Sequence, residues 1–290
     1  MKLFVFGFGY SALHIAQRLQ LAGAEVTATV RSRAKAEALA QTGITGRVFS
    51  PDHQDNAIAL DIADSDAILV SIPPGESGDP VLASFADRIA AAPKLRWLGY
   101  LSTVGVYGDH RGGWVDETTP ATPADGRSKV RAAAEQAWLA FGAASGIAVQ
   151  IFRLSGIYGP GRNHLVQLAA GTARRIVKPG QVFNRIHVAD IAAVVEASLA
   201  RPRRGGIYNV TDNEPAPPQD VVAFAAALCG IEPPPEIPFE SAELSPMARS
   251  FYAESKRVRN DLIKQELGVY LRYPTYREGL TALQADGEGR

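Results

Sequence analysis

The sequence predicts an α/β fold in which a doubly wound parallel sheet carries a small C-terminal cap. Strand and helix signals alternate through the first two hundred residues, which is typical of parallel strands covered by helices on both faces. Right-handed crossovers then give the doubly wound arrangement. Prolines cluster at 215–218 and 233–238, where strand signals become sparse. We expect a main domain at 1–155, with 186–210 returning to its sheet, and a smaller lobe at 156–185 and 211–285.

The individual elements follow from local residue patterns. An apolar strand at 3–6 precedes a helix at 10–22 with apolar residues at helical spacing, and β-branched residues indicate a second strand at 25–30. A buried strand at 67–72 stops at Pro73-Pro74. The other predicted strands are 47–49, 95–101, 148–154 and 207–210, and the other predicted helices are 34–41, 79–91, 128–145, 191–199, 219–229, 254–267 and 275–284. The tail at 285–290 is expected to be frayed.

Composition narrows the class of protein. The chain has 290 residues, 46% of them hydrophobic, which is enough for a sizeable core. Its 30 basic and 30 acidic residues balance to zero formal charge, and this argues against a nucleic-acid partner. The single cysteine, Cys229, excludes an internal disulfide and is typical of a reducing compartment. No apolar stretch approaches the ~18 residues of a membrane span, so we expect a cytoplasmic protein. The histidines are scattered along the chain, so we expect no metal site.

The segment Gly7-Phe8-Gly9-Tyr10-Ser11-Ala12 carries the clearest functional signal. It has the G-x-G-x-x-A spacing of dinucleotide sites and lies between a predicted strand and a predicted helix. Gly7 permits a sharp turn, Gly9 lets the backbone approach a pyrophosphate, and Ala12 lets the helix pack closely on the sheet. The unpaired N–H groups of the first helical turn would then face the phosphates.

Arg31, Ser32 and Arg33 follow the second predicted strand. An acidic residue at this place favours NAD because it binds the ribose 2′-hydroxyl, whereas arginine suits the 2′-phosphate of NADP. No acidic residue lies in this stretch. The sequence therefore favours NADP over NAD, with a solvated turn as the alternative interpretation of the two arginines.

A series of motifs then resembles one family. They are Gly7–Ala12, Ser102-Thr103-Val104-Gly105-Val106-Tyr107-Gly108, Asp116-Glu117-Thr118-Thr119-Pro120, Gly126-Arg127-Ser128-Lys129, Arg153–Arg162, Ile186–Asp190 and Tyr208-Asn209-Val210. In this order they resemble the short-chain dehydrogenase/reductase superfamily, in its extended, NAD-dependent epimerase/dehydratase-like branch. The resemblance covers about residues 1–285 and implies a Rossmann fold. It also implies a homodimer formed through the long helices, here about 80–92 and 128–145.

The resemblance assigns catalytic roles residue by residue. The family pairs a tyrosine with a lysine four residues later and adds a serine or threonine hydroxyl. Lys129 matches the lysine, which holds the nicotinamide ribose, and Thr103 matches the hydroxyl that binds the reacting oxygen. The position four before Lys129 is Asp125 rather than tyrosine. The chain therefore resembles atypical members that have lost part of the catalytic set, and the group that moves the proton stays open between Asp125, another tyrosine and none.

Further site residues come from their positions and chemistry and, for Leu154, Gly156 and Ile157, from the same resemblance. Ser71, Ile72 and Pro73 would flank the nicotinamide ribose, and Leu154, Gly156 and Ile157 would pack beside the nicotinamide. Tyr107, Tyr158, Arg162, His187 and Arg249 are candidate contacts to a small-molecule substrate, and a sugar- or nucleotide-linked compound is one candidate. Structural roles compete with each of these five assignments.

The sequence thus predicts an NAD(P)-dependent oxidoreductase that acts on a hydroxyl or carbonyl compound and lacks the usual tyrosine. Two alternatives stay open. One is a non-catalytic NADP-binding sensor or scaffold, and the other is a nucleotide-sugar epimerase or dehydratase in which the coenzyme is recycled.

Overall fold

The computed structural model describes residues 1–124 and 126–289. The strands are β1 Lys2–Phe6, β2 Glu25–Val30, β3 Thr45–Ser50, β4 His53–Gln54, β5 Ala67–Val70, β6 Trp97–Thr103, β7 Trp114–Val115, β8 Ala148–Leu154, β9 Gly156–Tyr158, β10 Arg175–Val177, β11 Arg185–His187, β12 Gly206–Val210, β13 Glu236–Pro238 and β14 Arg257–Val258. The helices are α1 Tyr10–Leu21, α2 Arg33–Ala40, α3 Ile58–Asp64, α4 Pro80–Ala90, α5 Gly126–Ser145, α6 His164–Ala169, α7 Val188–Ala200, α8 Pro218–Leu228, α9 Pro246–Phe251, α10 Asp261–Gln265 and α11 Tyr276–Ala285. Short 3₁₀ turns cover Val104–Tyr107 and Phe239–Ser241.

Eight strands form the central sheet in the order β12-β8-β6-β5-β1-β2-β3-β4. Every pair is parallel except β3 with β4. From β1 the chain first adds β2 and β3 on one side and later adds β5 on the other, so the strand order reverses between β1 and β5. Ligands of open α/β sheets bind outside the carboxyl ends of the strands at such a reversal.

The sheet separates two hydrophobic layers, and β1 shows how the sequence divides between them. Leu3 and Val5 face the layer formed with α1 and α7, whereas Phe4 and Phe6 face the layer formed with α4 and α5. Side chains of a strand alternate between faces, so a continuous apolar run is what a strand covered on both faces requires. The expected doubly wound parallel fold is confirmed.

The expected elements and the structure differ in the last third of the chain, among other places. The predicted helix at 254–267 is wrong, because this stretch contains β14, which pairs with β7, and the short helix α10. The Lys256 ammonium donates to the carbonyl of Gly108 at 2.5 Å and fixes the extended course of the segment. The predicted frayed tail is also wrong at Glu288, whose N–H binds the carbonyl of Leu283. Arg290 lies outside the described residues, and the division into a main domain and a lobe stays a prediction.

Candidate coenzyme site

The turn after β1 requires a glycine at position 7. Gly7 has φ +84°, a region that residues with a Cβ rarely adopt. A Cβ at this position would lie 2.7 Å from the Ile72 side chain. The Gly7 N–H donates to the Thr29 hydroxyl at 2.8 Å, which ties the turn to the end of β2.

Gly9 immediately precedes α1, and its Cα faces open space. It is exposed, and no atom lies within 4 Å of the position that a Cβ would take. The first turn of α1 has no side-chain cap and no acidic residue, so its N–H groups remain available to an anion. Ser11 and Ala12 are buried against the sheet, and Phe8 packs against the layer on that face. These residues therefore fit a dinucleotide diphosphate.

Arg31, Ser32 and Arg33 directly follow the carboxyl end of β2, the strand to which the glycine turn is tied. The Ser32 hydroxyl accepts the Lys35 N–H at 3.4 Å and caps α2. Arg31 and Arg33 are exposed, and neither guanidinium forms an ion pair within the part of the chain that the structure describes. Two exposed guanidinium groups just after β2 are able to bind a phosphate.

The residues at the carboxyl ends of β5 and β8 extend the candidate site along the same edge of the central sheet. The Ser71 N–H donates to the carbonyl of Phe6 at 2.8 Å, which places Ser71, Ile72 and Pro73 beside the glycine turn. Leu154 ends β8 in register with Thr103 of β6. Gly156 and Ile157 then form β9, which pairs with β11.

Thr103 lies at the carboxyl end of β6, next to the start of α5. Its hydroxyl oxygen accepts the Gly105 N–H at 3.1 Å, which leaves the hydroxyl proton available for donation. A Cβ on Gly105 would lie 3.4 Å from the Thr103 hydroxyl and 3.1 Å from that of Ser128, so both side chains flank this turn. Lys129 is the next residue on α5 and is exposed. Asp125 lies outside the described residues.

A buried polar network that the sequence analysis missed stands behind Thr103. The Ser102 hydroxyl donates to Glu135 at 2.5 Å, and Glu135 is bound by the Arg153 guanidinium at 2.7 Å. The Arg153 guanidinium carbon lies 4.8 Å from the centroid of the Tyr107 ring, and the Tyr107 hydroxyl donates to Asn209 at 2.8 Å. An arginine inside the apolar strand Ala148–Leu154 was the available signal, because a buried charge needs a partner.

The hydroxyl groups of Tyr107, Tyr158 and Tyr100, three tyrosines near the site, already form hydrogen bonds within the protein. Tyr107 is fully buried and bound to Asn209, and the Tyr158 hydroxyl donates to the carbonyl of Thr275 at 3.3 Å. The Tyr100 hydroxyl accepts from Arg131 at 3.3 Å. Burial raises the pKa of all three phenols. None is therefore a ready base in the described arrangement.

The other candidate substrate residues occupy different surroundings. His187 is buried, and its Nδ1 accepts the Ala189 N–H at 3.1 Å, which caps α7. Arg249 donates to the carbonyl of Ala242 at 2.9 Å. Arg162 is exposed and stacks on Tyr10. The structure places Arg162 near the start of α1, whereas Arg249 binds the backbone at Ala242.

The structure also contains two cavities. One of about 740 Å³ is bordered by α2 and β3, including Arg33, and another of about 190 Å³ is lined by Trp114, Asp212 and Lys264, among others. Neither is lined by Gly9 or Thr103. Across 1–124 and 126–289, no cluster of three His, Cys, Asp or Glu side chains could hold a metal ion. The described helices include none that is long and apolar enough to span a membrane.

Comparison with known proteins identifies the family. Residues 85–211 match the model of the NAD dependent epimerase/dehydratase family. Protein YeeZ of Escherichia coli (strain K12) is 30% identical over 243 residues, which are 80% of this chain and 85% of that protein. The chain belongs to the NAD-dependent epimerase/dehydratase family. The resemblance carried by the ordered motifs is thus confirmed.

Two solved structures are similar to this chain over almost its whole length. A functionally unknown conserved protein from Silicibacter pomeroyi is 50% identical, with a TM-score of 0.89 over 99% of each chain. The dTDP-glucose 4,6-dehydratase of Bacillus anthracis, solved in complex with NAD, has a TM-score of 0.77 over 99% of this chain and 97% of its own, at 17% identity. The second likeness is one of fold.

Proposed function

We propose that this chain is an NADP-preferring oxidoreductase of the atypical short-chain type, acting on a hydroxyl or carbonyl group of a small, sugar-like or nucleotide-linked substrate. The observation that carries the proposal is the open start of α1. Gly9 is exposed beside uncapped N–H groups, at the strand reversal between β1 and β5. Such a place suits the diphosphate of a dinucleotide.

In this proposal the coenzyme is held at three points. The N–H groups of the first turn of α1 bind the diphosphate, with Gly7, Phe8, Gly9, Tyr10, Ser11 and Ala12 forming the turn. Arg31, Ser32 and Arg33 bind the 2′-phosphate. Lys129 binds the nicotinamide ribose, and Ser71, Ile72, Pro73, Leu154, Gly156 and Ile157 border the nicotinamide half.

The proposed chemistry is hydride exchange coupled to proton movement. A nicotinamide coenzyme held by these residues would supply hydride-transfer chemistry. Thr103 donates its hydroxyl proton in a hydrogen bond to the reacting oxygen, which its contact with Gly105 leaves possible. The proton donor stays unassigned, because Asp125 stands at the tyrosine position and the phenols of Tyr107 and Tyr158 bind elsewhere.

A non-catalytic NADP sensor is the second candidate function. The replacement of the expected tyrosine by Asp125 favours it, since a carboxyl with a pKa near ~3.9 is a poor proton donor at neutral pH unless burial raises that pKa. An epimerase or dehydratase cycle is a third candidate, and the fold shared with a dTDP-glucose 4,6-dehydratase favours it.

One set of measurements separates these candidates. Mass spectrometry and absorbance near 340 nm of the purified protein reveal a retained coenzyme, which is the expectation for the epimerase-like cycle. Equilibrium titration should give a lower Kd for NADPH than for NADH, and a panel of carbonyl substrates should oxidise NADPH. Binding of NADPH without turnover of any panel member indicates the sensor. Binding of neither nucleotide overturns the proposal.

The oligomeric state and the cellular location are two further expectations that accompany this proposal. The homodimer through α4 and α5 and the cytoplasmic location stay predictions. Sedimentation equilibrium of the purified chain checks the first, and localisation of a tagged chain in its host cell checks the second.

A further inference from the structure

The loop after β9 crosses in front of the first residue of α1. The Tyr10 hydroxyl donates to the carbonyl of Pro160 at 3.0 Å, and Gly159 and Arg162 exchange two backbone hydrogen bonds of 3.0 Å, which close a tight turn. Gly159 has φ +155°, and a Cβ there would lie 2.7 Å from both the Tyr10 hydroxyl and the Val188 side chain. The phenol of Tyr10 therefore reaches the turn because residue 159 is glycine.

The C-terminal tail fixes the same turn from its other side. Glu288 accepts the Gly161 N–H at 2.7 Å and also binds the side-chain amide of Asn163. The Asn163 amide donates in turn to the carbonyl of Gly159 at 2.9 Å. The Glu288 carboxylate is thus occupied by two donors of the loop, and the turn is held at Pro160, Gly161 and Asn163.

Arg162 is the charged side chain that this turn presents. Its guanidinium carbon lies 5.6 Å from the centroid of the Tyr10 ring. The side chain is exposed and forms no ion pair among the described residues. Burial raises the pKa of Tyr10, and the charge of Arg162 opposes that rise, as expected for a cation close to the phenol.

Tyr10 is also the residue whose backbone N–H begins α1. A permanent cation therefore stacks on the residue that opens the uncapped, acid-free helix start. The planar guanidinium of arginine is able to donate two parallel hydrogen bonds to phosphate oxygens. The Arg162 cation and the N–H groups of the first turn of α1 together suit a ligand with two adjacent phosphate groups better than a ligand with a single carboxylate.

We propose that Arg162 binds the coenzyme diphosphate from the side opposite the backbone N–H groups, with Tyr10 as the platform that positions its guanidinium. This inference rests on the proposed function, because it requires a dinucleotide at α1. It reassigns Arg162 from the substrate to the coenzyme. It also gives the Gly159–Asn163 turn and the tail residue Glu288 a role in holding that cation in place.

The test compares two nucleotides in the full chain. Arg162→Gln should raise the Kd of NADPH and of NADH by the same factor, about 10- to 100-fold for a lost charge-assisted contact, because both contain the diphosphate. Arg31→Ala should weaken NADPH alone. Binding of adenosine 2′-monophosphate, which lacks the diphosphate, should be unchanged by Arg162→Gln. Arg162→Lys, which keeps the charge without the planar fork, should fall between the wild type and Arg162→Gln.

Two further variants separate the platform from general effects. Tyr10→Leu removes the ring and should match Arg162→Gln, whereas Tyr10→Phe keeps the ring and should weaken binding less. Arg259→Gln is the matched control, since the Arg259 guanidinium carbon lies 5.2 Å from the Trp114 ring centroid in a comparable stack elsewhere; it should leave both Kd values unchanged.

The possible failures are distinguishable. Unchanged nucleotide Kd values in Arg162→Gln, in a wild type that binds NADPH, overturn this inference and leave the proposed function standing. A raised substrate KM with an unchanged NADPH Kd also overturns it and returns Arg162 to the substrate. A wild type that binds neither nucleotide overturns the proposed function and this inference together.

Discussion

Arg153 binds both carboxylate oxygens of Glu135 in an ion pair that is almost wholly removed from water. The guanidinium nitrogens lie 2.7–3.2 Å from the two oxygens, and the two side chains are 4% and 1% exposed. The pair joins α5 to β8 directly behind Thr103. It therefore couples the helix that carries Lys129 to the strand that pairs with β6 and ends in register with Thr103.

Removing one partner of this pair should be costly. Glu135→Ala leaves the Arg153 charge buried without the carboxylate that binds it, and we expect a loss of about 3–5 kcal/mol in the free energy of unfolding. The exposed pair of Arg18 and Glu196 provides the control, because Glu196→Ala should cost at most ~1 kcal/mol. Urea denaturation measures both. Equal losses in the two variants would contradict the structural role given to the buried pair.

The two glycines of the first turn should respond differently to alanine. Gly7→Ala should lower the free energy of unfolding by at least ~1 kcal/mol, because φ is +84° and the new Cβ meets Ile72. Gly9→Ala places its methyl group in open space with φ −101°, so stability should change by less than ~0.5 kcal/mol. The same methyl group would occupy the approach of the diphosphate, and the Kd of NADPH should rise about tenfold or more, equivalent to ~1.4 kcal/mol.

Thermal unfolding and nucleotide titration of both variants test this division. Gly75→Ala supplies a comparison, since a Cβ there also meets no atom within 4 Å. It should alter stability little and leave NADPH binding unchanged. If Gly9→Ala bound NADPH as tightly as the wild type, the diphosphate would not lie against this backbone.

The parts of the fold that the sequence predicted are those set by local patterns. The apolar run of β1, the glycine turn and α1 follow each other directly, and the predicted helix at 10–22 corresponds to Tyr10–Leu21. Helix α3 at Ile58–Asp64 was missed because it is short, has no side-chain cap and buries two residues. Its apolar residues give too brief a period to separate helix from strand.

The parts that sequence reasoning missed depend on contacts between distant residues. Strand β9 at Gly156–Tyr158 exists because it pairs with β11 at Arg185–His187, and β14 exists because it pairs with β7. The ion pair of Arg153 and Glu135 likewise joins residues on separate elements. Such pairings override local propensity, and no single-sequence pattern specifies which partner a buried charge will have.

Arg31 should discriminate between the two nicotinamide coenzymes. Arg31→Ala removes an exposed guanidinium at the end of β2, and the Kd of NADPH should rise about 10- to 100-fold, as for a charge-assisted hydrogen bond to phosphate. The Kd of NADH should stay the same because it lacks the 2′-phosphate. Lys35→Ala, which removes another exposed cation from α2, is the control for general electrostatics. Equal Kd values for the two nucleotides, unaffected by Arg31→Ala, would reject the NADP preference.

His187 should make stability depend on acidic pH. Burial lowers the pKa of His187 to about 4, while an unfolded histidine titrates near ~6.5. The unfolded chain therefore takes up this proton first as the pH falls, so the stabilising contribution is complete above pH ~6.5 and is lost toward pH ~4. The imidazole Nδ1 also caps α7 by accepting the Ala189 N–H, and a variant for the test must keep that bond.

His187→Asn meets this requirement, because asparagine is a good N-cap and does not titrate in this range. Between pH 7 and pH 4.5 the wild type should lose about 1–3 kcal/mol more of its unfolding free energy than His187→Asn. Urea denaturation at half-unit pH intervals measures the difference, in which the titration of groups common to both proteins cancels. Parallel stability profiles would show that the buried imidazole takes up its proton as readily in the folded chain as in the unfolded one.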